Sequence, residues 1–216
     1  MKSVRPAMLT VFMMSILGAA ATSPPARAQA LVTASKVAEI TAFGGYTYTE
    51  PDYGPNSVKG FTLGSDFTIF RSWFVDPSLE VRFNHATGRP INFTGEVITE
   101  RAILVGPRAQ KDYGRFHPYI DFLVGVGHIA YNPPPTFSPN DHGDSGVSLT
   151  YGIGTDIDLV HNFSLKLDFQ QQNWNLGKNL PFQPDGSNYT LTPRNLTVGV
   201  TYHVPFAGLR KQRELR

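Results

Sequence analysis

The segment Asn195–Phe206, with the sequence NLTVGVTYHVPF, decides the fold. Its apolar side chains fall at every second position from Leu196 to Phe206, and polar residues, glycine and proline fill the positions between. A period of two that persists through the whole segment indicates a β-strand, because successive side chains of a strand point to opposite faces of a sheet. This strand therefore has one apolar face and one polar face.

Seven upstream runs repeat the pattern, so the sequence predicts eight strands. The runs lie near residues 37–49, 61–69, 79–84, 97–109, 120–127, 147–159 and 163–170. With their flanks they are about ten to thirteen residues long, close to the ~9–11 that a tilted membrane strand needs. Strands of soluble proteins average only ~5–6 residues, so strand length favours a membrane barrel.

The connections between the runs alternate in length. Those near 71–74, 110–116 and 159–162 are short, whereas those near 50–60, 86–96, 132–146 and 176–193 are long and rich in Pro, Gly, Asn and Asp. Short periplasmic turns and longer outside loops are typical of outer-membrane barrels. If both termini are periplasmic, every long connection lies outside the cell.

The bulk composition limits the function classes. A chain of 216 residues fits one all-β domain, and a net charge of +2 is too small to indicate a nucleic-acid partner. The chain contains no cysteine. Disulfide frameworks, thiolate metal sites and a lipid-modified N-terminal cysteine are thereby excluded.

The N-terminus has the pattern of a cleaved secretory signal. Lys2 and Arg5 precede an apolar run over about residues 7–21, and Ala26–Ala30 offers cleavage after Ala28 or Ala30. We therefore predict a signal peptide over 1–30, a barrel over 31–206 and a basic periplasmic tail over 207–216. No later apolar stretch approaches the ~20 residues of a spanning helix, so a membrane-embedded mature chain must be a closed barrel.

The polar faces of the strands carry many charges. They are Glu39, Asp66, Glu80, Arg82, Glu100, Arg108, Asp121, Asp156, Asp158, Lys166 and Asp168. In a soluble barrel these would point to water, but the apolar faces are so bulky that they would overfill an eight-stranded interior. We therefore expect the charges to face the lumen and the apolar side chains to face lipid.

Aromatic residues lie near both predicted ends of the strands. Those toward the long loops are Tyr48, Phe61, Phe83, Tyr131 and Trp174; those toward the short turns are Trp73, Phe74, Phe116, Tyr119, Phe163 and Phe206. Two girdles of this kind are typical of a bilayer interface. Aromatics at the edges of a soluble sandwich are the alternative explanation.

Three segments resemble a known family. Gly125–Gly127, Tyr151–Asp156 and Asn195–Tyr202 are similar to the small outer-membrane β-barrel family of OmpA-type, OmpX-type, OmpW-type and opacity-type barrels. The resemblance covers about residues 37–206 and implies an all-β, eight-stranded, antiparallel, up-and-down transmembrane barrel. It also implies a detergent-resistant barrel that changes mobility on heating. In this family an aromatic typically ends the chain, whereas here Ala207–Arg216 follow Phe206.

The sequence offers little evidence of catalysis. His85 and His161 are expected at opposite membrane faces, and neither has a nucleophile at suitable spacing, so we predict no catalytic residues and no enzyme. Asn140–Asp144 could hold calcium loosely, but it is better explained as a solvated turn, and we predict no metal and no cofactor. Arg210–Arg216 could contact anionic headgroups or be disordered.

The leading functional interpretation is an integral outer-membrane barrel with a structural or surface-interaction role. The lumen charges would then form a plug of mutual ion pairs. A narrow channel for ions or small solutes is the alternative; a lipid-modifying enzyme and a soluble periplasmic ligand-binding barrel rank lower. The expected partners are outer-membrane lipid, the outer-membrane assembly machinery and an extracellular ligand at the long loops, with no nucleic acid. We expect a monomer.

Overall fold

The computed structural model describes residues 39–54, 56–70, 72, 74–89, 97–132, 143–177 and 189–204. Within these ranges the chain forms nine β-strands. They are β1 (Glu39–Glu50), β2 (Val58–Thr68), β3 (Asp76–Gly88), β4 (Val97–Gln110), β5 (Phe116–Asn132), β6 (Gly143–Val160), β7 (Phe163–Gly177), β8 (Tyr189–Leu191) and β9 (Arg194–His203). None of the described residues belongs to a helix long and apolar enough to span a bilayer.

The strands close into a ring. Each strand from β1 to β7 pairs antiparallel with the next, and β9 pairs with both β7 and β1. The short β8 pairs only with β7 and continues into β9 after Thr192 and Pro193. Proline has no backbone N–H and so interrupts a ladder. β8 and β9 together are thus the eighth barrel strand, and the predicted eight-stranded antiparallel barrel is confirmed.

The two ends of the barrel differ. At the turn end, the connections 69–75, 111–115 and 161–162 join neighbouring strands, β1 begins and β9 ends. At the loop end β1, β3, β5 and β7 end and β2, β4, β6 and β8 begin, which leaves the ranges 51–57, 89–96, 133–142 and 178–188 between them in the chain. The predicted alternation of length is wrong for the first pair, because strands β1 to β3 extend into both connections and leave seven residues in each.

The polarity of the barrel is inverted relative to a soluble protein. The outward-facing Phe122 and Val198 are 51% and 48% exposed, whereas the inward-facing Glu80 and Asp168 are 0% and 1% exposed. The predicted assignment of apolar side chains to the outside is therefore confirmed. Outward residues with at least two-fifths of their surface exposed include Leu63, Val81, Ile103, Val105, Ile120, Val124, Val126, Leu149, Ile153, Leu196 and Val200.

Several predictions fall outside the described residues. These are the signal peptide over 1–30, the tail over 207–216, the possible terminal aromatic Phe206, Trp73 and most of the Asn140–Asp144 turn. Gly143 opens β6 with a φ of 154°, and Asp144 follows it in the strand.

Candidate functional site: the filled barrel interior

Arg82 on β3 lies at the centre of the interior. Its Nε donates to Glu80 Oε1 at 2.6 Å, and its two terminal nitrogens donate to the two oxygens of Asp168 at 2.6 and 3.3 Å. Asp121 Oδ2 lies 3.9 Å from Arg82 Nη2. A planar guanidinium matches a carboxylate at two points, so Arg82 joins β3 to β7 across the lumen.

Arg108 on β4 makes a second junction nearer the turn end. Nη1 donates to Asp66 Oδ2 and Nη2 donates to Asp156 Oδ2, both at 2.5 Å. Nη2 also donates to Gln110 Oε1 at 2.8 Å. The guanidinium lies 3.6 Å from the centre of the Tyr119 ring, a cation–π distance. Arg108 thus links strands β2, β4, β5 and β6.

Lys166 on β7 is the third buried cation. Its Nζ is 3.8 Å from Asp156 Oδ1 and lies over two rings, 4.2 Å from the centre of Phe43 and 4.4 Å from that of Tyr119. Within the described residues it has no hydrogen-bond acceptor. The Asp156 carboxylate and the two aromatic faces together stabilise its charge.

We call these groups the charged network. Its members are the cations Arg82, Arg108 and Lys166 and the acids Asp66, Glu80, Asp121, Asp156 and Asp168. All are buried. With five acids and three bases, the network would carry two excess negative charges if every group were ionised. Neutral donors offset part of that excess: Tyr119 donates to Asp168 at 2.7 Å, and Thr41 and Thr201 donate to Asp66 and Asp156.

A layer of neutral polar groups follows toward the loop end. Thr47 Oγ1 lies 2.6 Å from Thr62 Oγ1 and 2.9 Å from Thr197 Oγ1, so three strands meet through hydroxyls. The contact between Thr47 and Thr197 crosses the seam at which β1 and β9 close the barrel. Hydroxyls can donate and accept at once, which lets such a chain satisfy itself without water.

An apolar cap fills the interior at the loop end. It consists of Ile98, Ala102, Leu104, Leu123, Ile129, Trp174, Leu176 and Leu191, all 6% exposed or less. Gly127 leaves room for the Trp174 ring, since a Cβ at that position would lie 2.5 Å from Trp174 Cδ2. Together the charged network, the hydroxyl layer and the apolar cap occupy the barrel from end to end.

Small cavities lie between the described residues of the interior. One of about 20 Å³ lies toward the turn end, between Glu39, Asp66 and Arg108, and one of about 10 Å³ lies beside Thr47 and Trp174. A cavity needs roughly 10–15 Å³ to hold one water. Each space therefore accommodates about one water and no larger solute.

Of the eleven charges predicted to face the lumen, the structure places eight in the charged network and three at the ends. Glu39 lies at the turn end, where Oε1 is 2.7 Å from His203 Nδ1. Glu100 lies near the apolar cap and accepts a hydrogen bond from Tyr53 at 2.5 Å. Asp158 differs from the expectation: its side chain is 40% exposed at the mouth, because β6 extends past the end of the lumen.

Two aromatic predictions are wrong. Tyr119 and Trp174 were expected in the interface girdles, but each is only 2% exposed and lies inside the barrel. Tyr48 and Phe61 are exposed near the loop end, and Phe74, Phe116 and Phe163 are exposed near the turn end, whereas the side chain of Tyr131 lies outside the described residues. Tyr119 instead covers two buried cations, and Trp174 fills the apolar cap.

The structure also brings together a serine, a histidine and an acid that the sequence did not associate. Ser164 Oγ lies 3.0 Å from His203 Nε2, whose Nδ1 faces Glu39. However, Ser164 is 0% exposed, and its hydroxyl also donates to Asp158 at 2.7 Å. The geometry resembles that of a nucleophile and its base, but the hydroxyl is closed off from substrate.

The two histidines considered from the sequence lie at opposite ends of the barrel. His85 lies on the outward face of β3, where its ring is 5.2 Å from Phe61. His161 lies in the β6–β7 turn with a φ of 36°. Among the described residues, no three His, Cys, Asp or Glu side chains are arranged to hold a metal ion.

Comparison with known proteins supports the architecture. No protein-family model matches the sequence, and no curated protein is significantly similar to it. Among solved structures, Neisserial surface protein A is 14% identical with a TM-score of 0.51, and the alignment covers 79% of this chain and 99% of that one. At this identity, the match establishes a shared fold.

Two further structures align with lower scores. Ail, the attachment invasion locus protein of Yersinia pestis, is 16% identical over 77% of this chain and 99% of its own, with a TM-score of 0.48. The outer membrane protein OprG of Pseudomonas aeruginosa is 13% identical over 80% of this chain and 99% of its own, with a TM-score of 0.42. The closed ring, the inverted polarity and the match to the neisserial protein agree: this chain has the fold of the small eight-stranded outer-membrane β-barrels.

Proposed function

We propose that this protein is an integral, monomeric barrel of the bacterial outer membrane that does not conduct solutes and has a structural or surface-interaction role. The observation that carries the proposal is the filled interior. Buried ion pairs that include Arg82–Asp168 and Arg108–Asp156 cross the lumen, and the apolar cap closes it above them.

The outer surface supports insertion into a bilayer. On β5 the outward side chains are apolar from Phe116 to Val126, and the next outward position is His128. At ~3.3 Å per residue and a tilt of ~40°, that run spans roughly 25 Å along the barrel axis, the height of the apolar band of outer-membrane barrels. Such a surface would aggregate in water and is matched by lipid chains.

The arrangement of the ends supports one orientation. The described barrel begins and ends at the turn end, so a periplasmic turn end would leave the connections 89–96, 133–142 and 178–188 outside the cell. Loops on a rigid scaffold commonly carry binding functions. The proposed partners are thus outer-membrane lipid, the assembly machinery that inserts barrels, and an extracellular ligand at these loops.

Insertion is tested with the refolded mature chain. We expect it to float with lipid vesicles after a urea wash and to change electrophoretic mobility when it is boiled in detergent. A chain that stays in the aqueous fraction after refolding would contradict the membrane assignment.

Conductance separates the proposed role from the alternative of a narrow channel. In planar bilayers, with a general porin as positive control, we expect no steady current steps, because the cavities hold about one water each. Regular ohmic steps would refute the proposal. If such steps occurred, the excess of acids predicts a cation preference, and Asp66→Asn should reduce it.

A lipid-modifying enzyme is disfavoured by the burial of Ser164 and by its bond to Asp158. A wild-type barrel should therefore release no fatty acid from phospholipid or lipid A substrates above the level of Ser164→Ala. An activity that Ser164→Ala abolishes would show that the hydroxyl becomes accessible, and would replace the structural role with an enzymatic one.

A further inference from the structure

The apolar band ends toward the loop end at a sharply defined row of polar side chains. On four successive strands the outward residue in this row is basic: Lys59 on β2, His85 on β3, Arg101 on β4 and His128 on β5. We call these four residues the basic patch. Cations at this height would lie where the headgroups of the outer leaflet begin.

Strand register makes the patch continuous. His85 pairs with Arg101, and Arg101 pairs with His128. Phe61 pairs with His85, so Lys59, the next outward residue on β2, is the diagonal neighbour of His85. Directly opposed Cβ atoms are ~4.5–5.5 Å apart and diagonal ones ~7–8 Å. With strands ~4.8 Å apart, the patch is roughly 15 Å wide, which is more than one phosphate group can cover.

The two permanent cations of the patch lack acidic partners. Within the part of the chain that the structure describes, neither Lys59 nor Arg101 forms an ion pair. Glu50 is the outward acid nearest to Lys59, as its diagonal neighbour at the end of β1, and it is paired in register with Arg194 of β9. Glu100 and Asp144 belong to the inward-facing series of β4 and β6. The positive charge is therefore directed at whatever lies against the barrel wall.

The opposite wall shows that this is not a general feature of the rim. At the same height, β9 presents Arg194, whose Nε donates to Gln171 Oε1 at 2.9 Å and which is paired in register with Glu50. β6 and β7 present Ser145 and Asn173, which are uncharged. Among the described residues at this height, the basic charge without an acidic partner lies on the wall formed by β2 to β5.

We propose that the basic patch binds the phosphates of a glycolipid of the outer leaflet that carries more than one phosphate. Arg101 and Lys59 supply only hydrogen-bond donors, which suits phosphate oxygens. A zwitterionic headgroup would bring its own cation against the patch, and a single phosphate would leave half of it uncovered. This proposal rests on the proposed membrane insertion, and it adds a specific lipid to one side of the barrel.

The experiment measures lipid binding by native mass spectrometry. The barrel is reconstituted in phosphatidylcholine nanodiscs that contain bisphosphoryl lipid A, fully dephosphorylated lipid A or phosphatidylglycerol. Each Lys or Arg near an anionic headgroup contributes about fivefold in affinity, so Lys59→Gln/Arg101→Gln should weaken binding of bisphosphoryl lipid A roughly 30-fold. Arg194→Gln, at the same height on the other wall, is the matched control and should leave binding unchanged.

Three results would overturn the proposed role of the basic patch. They are an equal loss of lipid A binding in the Arg194→Gln control, no loss of binding in Lys59→Gln/Arg101→Gln, and binding of dephosphorylated lipid A as strong as that of bisphosphoryl lipid A. Phosphatidylglycerol retained as strongly as bisphosphoryl lipid A would overturn the requirement for several phosphates. Vesicle flotation of the same preparations reports insertion separately. A chain that does not insert fails the proposed function, whereas one that inserts without lipid preference fails only this inference.

Discussion

Replacing Arg82 by methionine tests whether the charged network holds the barrel together. Methionine has similar length but no charge, so Arg82→Met removes three hydrogen bonds, one to Glu80 and two to Asp168. Both acids stay buried, and Asp168 keeps only the Tyr119 hydroxyl among its short contacts in the described interior. Removing one partner of a buried ion pair costs ~3–5 kcal/mol, because the other charge is left without compensation.

The assay is urea unfolding of the refolded barrel in detergent micelles, followed by tryptophan fluorescence and by the mobility of unboiled samples. With a dependence on urea of about 2 kcal/mol/M, a loss of about 4 kcal/mol lowers the unfolding midpoint by about 2 M. Adding Asp168→Asn to Arg82→Met should recover part of the loss, because it removes one of the stranded charges. The matched control is Arg115→Met in the exposed β4–β5 turn. It removes only exposed hydrogen bonds from the guanidinium to the Asp158 carbonyl and should cost about 1 kcal/mol or less.

The reasoning would be refuted if Arg82→Met and Arg115→Met destabilised the barrel equally, or if Asp168→Asn added its full cost on top of Arg82→Met. Either result would mean that the interior is hydrated well enough to solvate isolated charges. A filled lumen could not then explain the proposed lack of conductance.

Three further substitutions probe the lipid-facing and inner surfaces, each measured by the same urea titration. Phe122→Arg places a charge midway along the outward face of β5 and should cost ~2–4 kcal/mol, whereas a neutral result would argue against lipid at that height. Gly127→Ala forces a Cβ to within 2.5 Å of the Trp174 ring and should cost ~1–3 kcal/mol, and a wild-type midpoint would mean that the ring moves freely. Trp174→Ala should cost ~3–5 kcal/mol yet leave the barrel non-conducting, because the charged network still blocks the lumen; new current steps would assign the block to the apolar cap.

The architecture could be predicted from the sequence because one period governs the whole barrel. Alternation from Leu196 to Val204 fixes which face of the last strand is apolar, and the bulk of that face fixes which way it points. Ring closure then follows because the backbone N–H and C=O groups of an open sheet edge would have no hydrogen-bond partners in lipid. The connection lengths follow less directly from the sequence. Paired strands continue past the residues that alternate clearly, so the connections are shorter or longer than the pattern indicates.

The same alternation of inward and outward positions also predicts where Tyr119 and Trp174 point. Trp174 lies an even number of residues from Lys166 and Asp168, and Tyr119 lies two residues before Asp121, so both share the parity of the inward face. At these two positions the preference of aromatics for bilayer interfaces conflicts with the alternation, and the alternation decides the outcome. An interior that must be filled selects large side chains wherever small ones such as Gly127 make room.

The ion pairs themselves could not be predicted. Arg82 and Asp168 are 86 residues apart and meet across the lumen rather than along a ladder. Which inward side chains face each other depends on barrel radius and strand stagger, which alternation does not specify. For the same reason the contact of Ser164 on β7 with His203 on β9 cannot be predicted from the sequence.

The ring is sealed by β9, the final strand, which pairs with β1. Arg82 on β3 and Arg108 on β4 have counter-charges on strands of other hairpins, at Asp168, Asp66 and Asp156. Before the seam forms, a hairpin that entered lipid alone would expose such groups to hydrocarbon without their partners, which is costly. We therefore expect closure of β9 on β1 to be coupled to burial of these charges.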